Sequence, residues 1–356
     1  MLKGAYFFGP SACVRDIRVL NRIEYAPCAI IIVNYNGASD TCVCIESLAS
    51  LVLLPKVIVV VDNGSTDDSC GVIEGFWREF SRFQGDSFAV LDASGVPPET
   101  ARNVFIKSKR NGGFSAGNNI ALRALANIDG LECFWLLNND TIPDPHALSE
   151  LMRCVAESPN IGLAGSTLVY AGRPDTIQCA GGGWYFPLWG GTRHYLEGKP
   201  FPLAEIPRNG PKPLEYICGA SMLITAAAFS KLGLLDEDYF LYYEDVEYGL
   251  RAMRMNFQTV CVAESVVYHK EGASTCPQSD SSRGHKPLLI DFLSIRNRLW
   301  LSRKYYPYIF PVVVFSLIGV AIKRLMRNQA SRLRIIFIAL AHCLKGTMGK
   351  PNLRIF

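Results

Sequence analysis

Acidic residues nearly vanish toward the end of this chain. From Arg283 onward Asp291 stands alone against 14 lysines and arginines. The 22 basic and 31 acidic residues before Arg283 make the larger part acidic, so the net charge of +4 conceals an acidic body and a basic tail. Such a tail suits an anionic membrane surface or a nucleic acid. No CxxC pair occurs among the 12 cysteines, and Cys42-x-Cys44 is too tight for the usual zinc pattern. Cys28, Cys133, Cys218 and Cys261 lie inside apolar runs, as expected of buried, reduced thiols in a cytosolic compartment. Residues 1–26 lack a leader-like apolar core, because Lys3, Arg15, Asp16, Arg18, Arg22 and Glu24 interrupt each short run. There is no internal repeat and no low-complexity tract.

What is present points to a large folded core. The composition is 49% hydrophobic and 19% charged, which excludes disorder. Residues 1–27 read as an extension. Ala29–Asn34 is then continuously apolar and β-branched, the pattern of a strand buried on both faces. A helix near Asp40–Val52 and a second strand at Val57–Asp62 complete a βαβ unit with parallel strands. A helix near Asp67–Phe83, strands at Val104–Ile106 and Cys133–Leu137, and a helix capped by Ser115 and running to about Ile128 continue the alternation. Gly85–Asn103, with Gly95 and Pro97-Pro98, reads as an insertion. Asp144-Pro145 is a helix-start signal. Ile161–Thr225, rich in glycine and aromatics, reads as mixed structure with long loops, a usual place for a second substrate. Tyr216–Thr225 and Val260–Tyr268 read as strands, with a helix at about Asp245–Met255 between them. The expected class is α/β, a mostly parallel sheet, with a C-terminal helical segment.

The tail carries two apolar runs between its charges. Tyr305–Ile322 is 18 residues without a charge, at the lower limit for a spanning helix, and Ile335–Leu344 is far shorter. Both have cationic flanks and read as interfacial helices. Apolar runs among the charges favour lipid over nucleic acid as the partner.

Ligands of open α/β sheets bind outside the carboxyl ends of the strands. Three polar clusters fall there: Asn34-Tyr35-Asn36-Gly37, Asp62-Asn63-Gly64-Ser65-Thr66-Asp67 and Asn138-Asn139-Asp140. Each alone can be a capped turn; three together predict one shared site. Downstream lie Asn111-Gly112-Gly113-Phe114-Ser115-Ala116-Gly117-Asn118-Asn119, Gly219-Ala220-Ser221, Tyr243-Glu244-Asp245-Val246-Glu247, and His269. Gly112 and Gly117 have the spacing of a phosphate loop, but Asn118 stands where that motif needs lysine, so a P-loop is excluded.

Taken in order, these motifs resemble the family 2 glycosyltransferases, in particular the bacterial rhamnosyltransferase-like branch, over about residues 28–275. The resemblance implies a GT-A fold, a Rossmann-like α/β sandwich, over 28–282, with 28–141 the nucleotide-binding half and 142–282 the acceptor half. A membrane-associated segment would occupy 283–356. It implies inverting transfer from a nucleotide-diphosphate sugar, rhamnose from dTDP-rhamnose being the branch's suggestion. The acceptor would be a saccharide or a lipid-linked one, in cell-surface polysaccharide assembly at the cytoplasmic face of the inner membrane. Donor contacts carried over are Asn34, Asn36, Asp62, Asn63, Ser65, Asn111, Gly112, Asn118, Asn139 and Gly219. Asp140, with His269, would hold a divalent metal, Mn²⁺ or Mg²⁺. Asn138 replaces the first carboxylate of the family's Asp-x-Asp motif, and an amide attracts a hard cation less than a carboxylate does. Asp245 would be the base and Glu244 the acceptor-binding carboxylate. Trp184, Tyr185, Phe186 and Trp189 are candidates for stacking on an acceptor sugar, and Arg296 and Arg298 for a diphosphate or lipid phosphate. The rival readings are a sugar nucleotidyltransferase, a processive synthase and an inactive membrane-bound scaffold. The first lacks its basic Gly-rich loop after the first strand. The second lacks the glutamine of Gln-x-x-Arg-Trp.

Overall fold

The run from Tyr25 to Asn34 forms β1, and its side chains feed two cores. Cys28, Ile30 and Ile32 face one cluster, while Ala29 and Ile31 face the other. A strand packed on both faces needs apolar residues at every position, which is why the run does not alternate. The chain is described by a computed structural model over residues 25–203, 205–207, 212–270 and 287–352. Most of the expected 1–27 extension lies outside the described residues, and Tyr25–Pro27 belong to β1.

The elements follow as α1 (Ala38–Leu48), β2 (Leu54–Asn63), α2 (Ser69–Gln84), β3 (Phe88–Asp92), β4 (Asn103–Ser108), α3 (Gly113–Leu125), β5 (Cys133–Asn138), β6 (Thr141–Pro143) and α4 (Ala147–Ala156). Then come β7 (Ile161–Tyr170), β8 (Arg173–Ala180), β9 (Gly182–Phe186), β10 (Gly191–His194), β11 (Tyr216–Ile217), β12 (Ser221–Thr225), α5 (Ala226–Leu232), α6 (Glu244–Arg254) and β13 (Gln258–His269). Three helices close the described chain: α7 (Leu288–Tyr305), α8 (Phe310–Met326) and α9 (Leu333–Lys345).

The main sheet runs β3-β4-β2-β1-β5-β12-β7-β13-β6, with β8 added beside β7. From β3 to β5 every pairing is parallel. β12 then enters antiparallel to both β5 and β7. One sheet therefore crosses the expected boundary near residue 141. Helices α1, α2 and α4 cover one face through Ile45, Trp77 and Leu151; α3, α5 and α6 cover the other through Leu122, Leu232 and Tyr248. A small sheet, β10-β9-β11, stands apart.

Several local expectations change. Phe88–Asp92, inside the supposed insertion, is the edge strand β3; it pairs with β4 along Phe88–Asn103 to Asp92–Lys107. Ser115 does not cap α3. The helix starts two residues earlier behind Gly112, which leaves Ser115 buried in the first turn. Asp144 accepts the amide of His146 at 2.9 Å, and α4 begins only at Ala147. Residues 161–225 hold more strand than expected. The tail is not a loose appendage either: α7 packs under the loop before α6, with Phe292, Leu293 and Leu299 clustered with Phe240. Among the described residues no helix is long and apolar enough to cross a membrane.

Candidate active site

Parallel pairing places Asn34 beside Asp62 at the carboxyl ends of β1 and β2. Both side chains are buried, and a buried polar group needs partners. Asn34 Nδ2 donates to Asp62 Oδ1 at 2.9 Å and to Ser65 Oγ at 3.1 Å. Asp62 also accepts from the Ser65 amide at 3.1 Å and hydroxyl at 2.6 Å. Asn36, at φ 52°, accepts from the Thr66 amide at 2.8 Å. Asn139 Nδ2 reaches back to Thr41 Oγ1 at 3.0 Å, and Thr41 donates to Asn34 Oδ1 at 2.9 Å. The first and third polar clusters thus share one network. Thr41 carries no sequence signal, since it lies inside a helix.

Asn63 ties in the glycine-rich segment. Its Nδ2 donates to Gly113 O at 2.9 Å and its Oδ1 accepts from the Gly112 amide at 3.3 Å. Asn111 Oδ1 accepts from the Gly113 amide at 2.8 Å. Two glycines are required by space: a Cβ on Gly64 (φ +69°) would lie 2.5 Å from the Arg110 carbonyl carbon, and one on Gly113 (φ +89°) 2.0 Å from Phe240 O. Asn118 stands apart from this network, because its Nδ2 is spent on Phe114 O at 2.9 Å, inside its own helix.

The catalytic candidates arrive from the other half. Phe240, Tyr242 and Tyr243 all have positive φ, 62°, 72° and 74°, which turns the chain sharply into α6. Phe114 N donates to Phe240 O at 2.8 Å, so this turn rests on the glycine-rich segment. Asp245, half-buried, accepts from the Gly219 amide at 3.2 Å and from the Val246 amide at 2.8 Å. Gly219 immediately precedes Ala220, whose carbonyl accepts from the Asn138 amide at 3.0 Å. Asp245 is thus linked to the end of β5 through Gly219 and Ala220. Burial, opposed by the two amides, lifts the Asp245 carboxyl above its ordinary range. Glu244 is buried, and its Oε2 has no partner among the described residues. Its carboxyl is pushed well up, first by burial and then by repulsion from Asp245. Desolvation therefore outweighs the like-charge repulsion expected from adjacency. His194 on β10 lies near enough to oppose the rise at Asp245.

The residues at the metal position also meet. His269 Nε2 is 3.2 Å from Asp140 Oδ1, and both side chains are buried. On the opposite ring edge Nδ1 is 2.8 Å from Gln178 Oε1. With that oxygen accepting, Nδ1 carries the hydrogen and Nε2 turns a lone pair toward the carboxylate. A carboxylate oxygen and an imidazole nitrogen side by side are a donor set that suits a divalent ion, with the glutamine as its second-sphere support. Asn138 Nδ2 lies 3.4 Å from the same Nε2. Among the described residues no group of three or more His, Cys, Asp or Glu is arranged to hold a metal. Gln178, on β8, was invisible in the sequence because the fold carries it there from 91 residues away.

Two arginines need separate treatment. Arg296 is fully buried; it donates to Gly349 O at 2.7 Å and Tyr239 O at 3.1 Å. It staples the loop before α6 and cannot serve as a phosphate ligand. Arg298 is half-buried, bonded to Ser316 Oγ, with Nε unpartnered among the described residues. Tyr185 is buried and stacks on Tyr306, while Phe186 stacks on the more exposed Trp189. Tyr185 therefore packs in the interior, and Trp189 keeps an open face.

Comparisons with known proteins agree with this geometry. The chain is 23% identical over 332 residues to the low-salt glycan biosynthesis hexosyltransferase Agl10 of Haloferax volcanii, covering 91% of this chain and 93% of that one. It is 34% identical over 91 residues to the N-acetylglucosaminyl-diphospho-decaprenol L-rhamnosyltransferase of Mycobacterium tuberculosis, a match spanning 25% of this chain and 29% of that protein. The fold resembles the crystal structure of GalNAc-T7 with UDP, GalNAc and Mn²⁺ at a TM-score of 0.52 and 14% identity, covering 78% of this chain and 47% of that one. The architecture is of the GT-A type. Residues 26–284 match the model described as glycosyltransferase like family 2, most of the chain, and the chain belongs to that family.

Proposed function

We propose that this chain is an inverting glycosyltransferase that moves a hexose, rhamnose from a dTDP donor in our reading, onto a lipid-linked saccharide. We assign the work to cell-surface glycan assembly at the cytoplasmic face of the inner membrane. The hexosyl- and rhamnosyltransferase names of the two relatives support the sugar class, and the decaprenol-linked substrate named for the second supports the acceptor class. One observation carries the mechanism: Asp245, its pKa raised, is held by the Gly219 and Val246 amides, and the residue after Gly219 accepts from the Asn138 amide.

In this reading Asp245 takes the acceptor hydroxyl proton as that oxygen bonds to the anomeric carbon. The bond from that carbon to the donor phosphate breaks, and its electron pair leaves with the nucleoside diphosphate. Glu244 Oε2, buried and unpartnered, would meet an acceptor hydroxyl. Asp62, Asn63 and Ser65 would contact the nucleoside, and the segment from Asn111 would close beside it. Asp140 and His269 would hold Mn²⁺ or Mg²⁺, which supplies neutralising charge for the leaving diphosphate when bound.

Asp245→Asn tests the base. Donor affinity should stay within about threefold while transfer falls by at least about a thousandfold. Normal turnover in Asp245→Asn would remove the assignment. Asn138, standing in place of a carboxylate, motivates a second reading as an inactive scaffold. Neither donor hydrolysis nor transfer by the native protein would favour that one.

A further inference from the structure

The helix α8 exposes a largely apolar side. Its solvent-facing side consists of Val312, Phe315, Ile318, Gly319, Ile322, Leu325 and Met326, with Phe315 71% and Met326 81% exposed. These positions recur at three- and four-residue steps, so they form one continuous stripe. The opposite side buries Val313 and Leu317 and one ion, Arg324. Arg324 pairs there with Asp291 at 2.6 Å, and Arg332 joins the same carboxylate at 3.2 Å. A soluble surface helix keeps its outer side polar; α8 is apolar on both sides. Tyr308, 97% exposed, precedes it, and α9 adds exposed Phe337 and Leu344.

We propose that the outward face of α8 docks on an anionic lipid bilayer, lying in the interface rather than crossing it. Length argues for this position. Seventeen residues at about 1.5 Å each span about 26 Å, short of a hydrocarbon core of about 30 Å. Charge selects the occupant. Lys323 and Arg327 are exposed at the end of the stripe, within a tail that has one acidic residue after Arg283. Anionic headgroups complement them. A second copy of the same face would set like charges against each other.

The inner side of α8 connects the docking face to the candidate active site. A Cβ on Gly190 would lie 3.1 Å from Val313, and the Gly190 carbonyl accepts from Tyr243 Oη at 2.9 Å, directly before Glu244 and Asp245. Arg298, bonded to Ser316 of α8, flanks the same glycine. The helix that would meet the bilayer is thus packed, through Gly190 and Tyr243, against the turn that carries Glu244 and Asp245. The inference rests on the membrane placement proposed above and adds the face that makes the contact.

Flotation with phosphatidylcholine vesicles, with and without about 30% phosphatidylglycerol, tests it. The full chain should float with the anionic vesicles and lose much of that binding at high salt. Phe315→Ser/Met326→Ser/Phe337→Ser changes only exposed residues and should cut partitioning at least about tenfold. Lys323→Glu/Arg327→Glu should abolish the preference for anionic lipid. Donor hydrolysis, followed in parallel, should be unchanged in both variants, which separates loss of docking from loss of the catalytic reading. Native-like flotation of the triple variant would overturn the proposal. So would a wild-type protein that ignores vesicles and elutes as a dimer that the triple variant breaks.

Discussion

Asn297 offers a demanding test of how the tail supports the active site. It lies fully buried on α7, and its Nδ2 is 2.8 Å from Tyr239 O, 2.8 Å from Leu241 O and 2.9 Å from Tyr242 O. One amide nitrogen has two hydrogens, so three carbonyls share two donors. Tyr239 O is also served by the Leu241 amide and Arg296, so it keeps donors when Asn297 is lost. Removing two buried donors should cost about 2–4 kcal/mol. The affected loop holds three residues at positive φ, each at a cost of about 1–2 kcal/mol, so it should relax once its anchor is gone. Asp245 then leaves its place beside Gly219. Asn297→Ala should lower urea-unfolding stability by that amount. It should keep donor binding within about threefold and slow transfer at least about tenfold. Asn297→Leu nearly keeps the volume but carries no polar hydrogens, and should fail as badly, which separates donor loss from cavity formation. A stability change under about 0.5 kcal/mol in both variants would refute the reasoning.

Other consequences are open to the same kind of test. Gly113→Ala forces a Cβ against Phe240 O at positive φ and should weaken donor binding and slow transfer together; Gly71→Ala, where nothing lies within 4 Å, should be neutral or stabilising by up to about 1 kcal/mol. Glu244 has a raised folded pKa, so its contribution is favourable at low pH and is lost as pH rises through that pKa. Glu244→Gln should therefore melt higher than the native protein at pH 8, with the gap closing as pH falls toward the ordinary carboxylate range. An unchanged gap would show that Glu244 is not buried in this way. For the metal, Gln178→Leu should weaken Mn²⁺-dependent donor binding about 10–100-fold. Equal donor affinity of the native protein with Mn²⁺ and with EDTA would remove the metal from the reading.

Much of the site is legible one strand at a time. Asn34, Asp62 and Asn138 each end a β-branched or apolar run, and parallel register forces strand ends to one edge. What the sequence hides is which partners each polar group finds. Asn118 and Asn119 read alike, yet Asn118 bonds its own helix while Asn119 holds the Leu235 backbone at 2.9 and 3.0 Å. Arg296 and Arg298 also read alike, yet one is a buried staple and the other flanks Gly190. Two residues along a helix turn a side chain by about 200°, and only the packed neighbours decide which direction is interior. Phe88–Asp92 is an apolar run, but it is short and set between Gly85 and Gly95-Val96-Pro97-Pro98, so turn signals mask the edge strand that its pairing with β4 defines.

By itself, the sequence determined the buried parallel strands, the polar clusters at their ends and the charge asymmetry of the tail. Those depend on local pattern, and the period of apolar residues encodes it directly. The tertiary structure decided what joins across distance. It brought Gln178 to His269, and Gly219 to Asp245. It laid α7 under the loop that turns into α6, and it set α8 with Arg324 inward and an apolar stripe outward. Each of these is a pairing between segments far apart in the chain, and only the closed sheet and its packed helices bring them within reach.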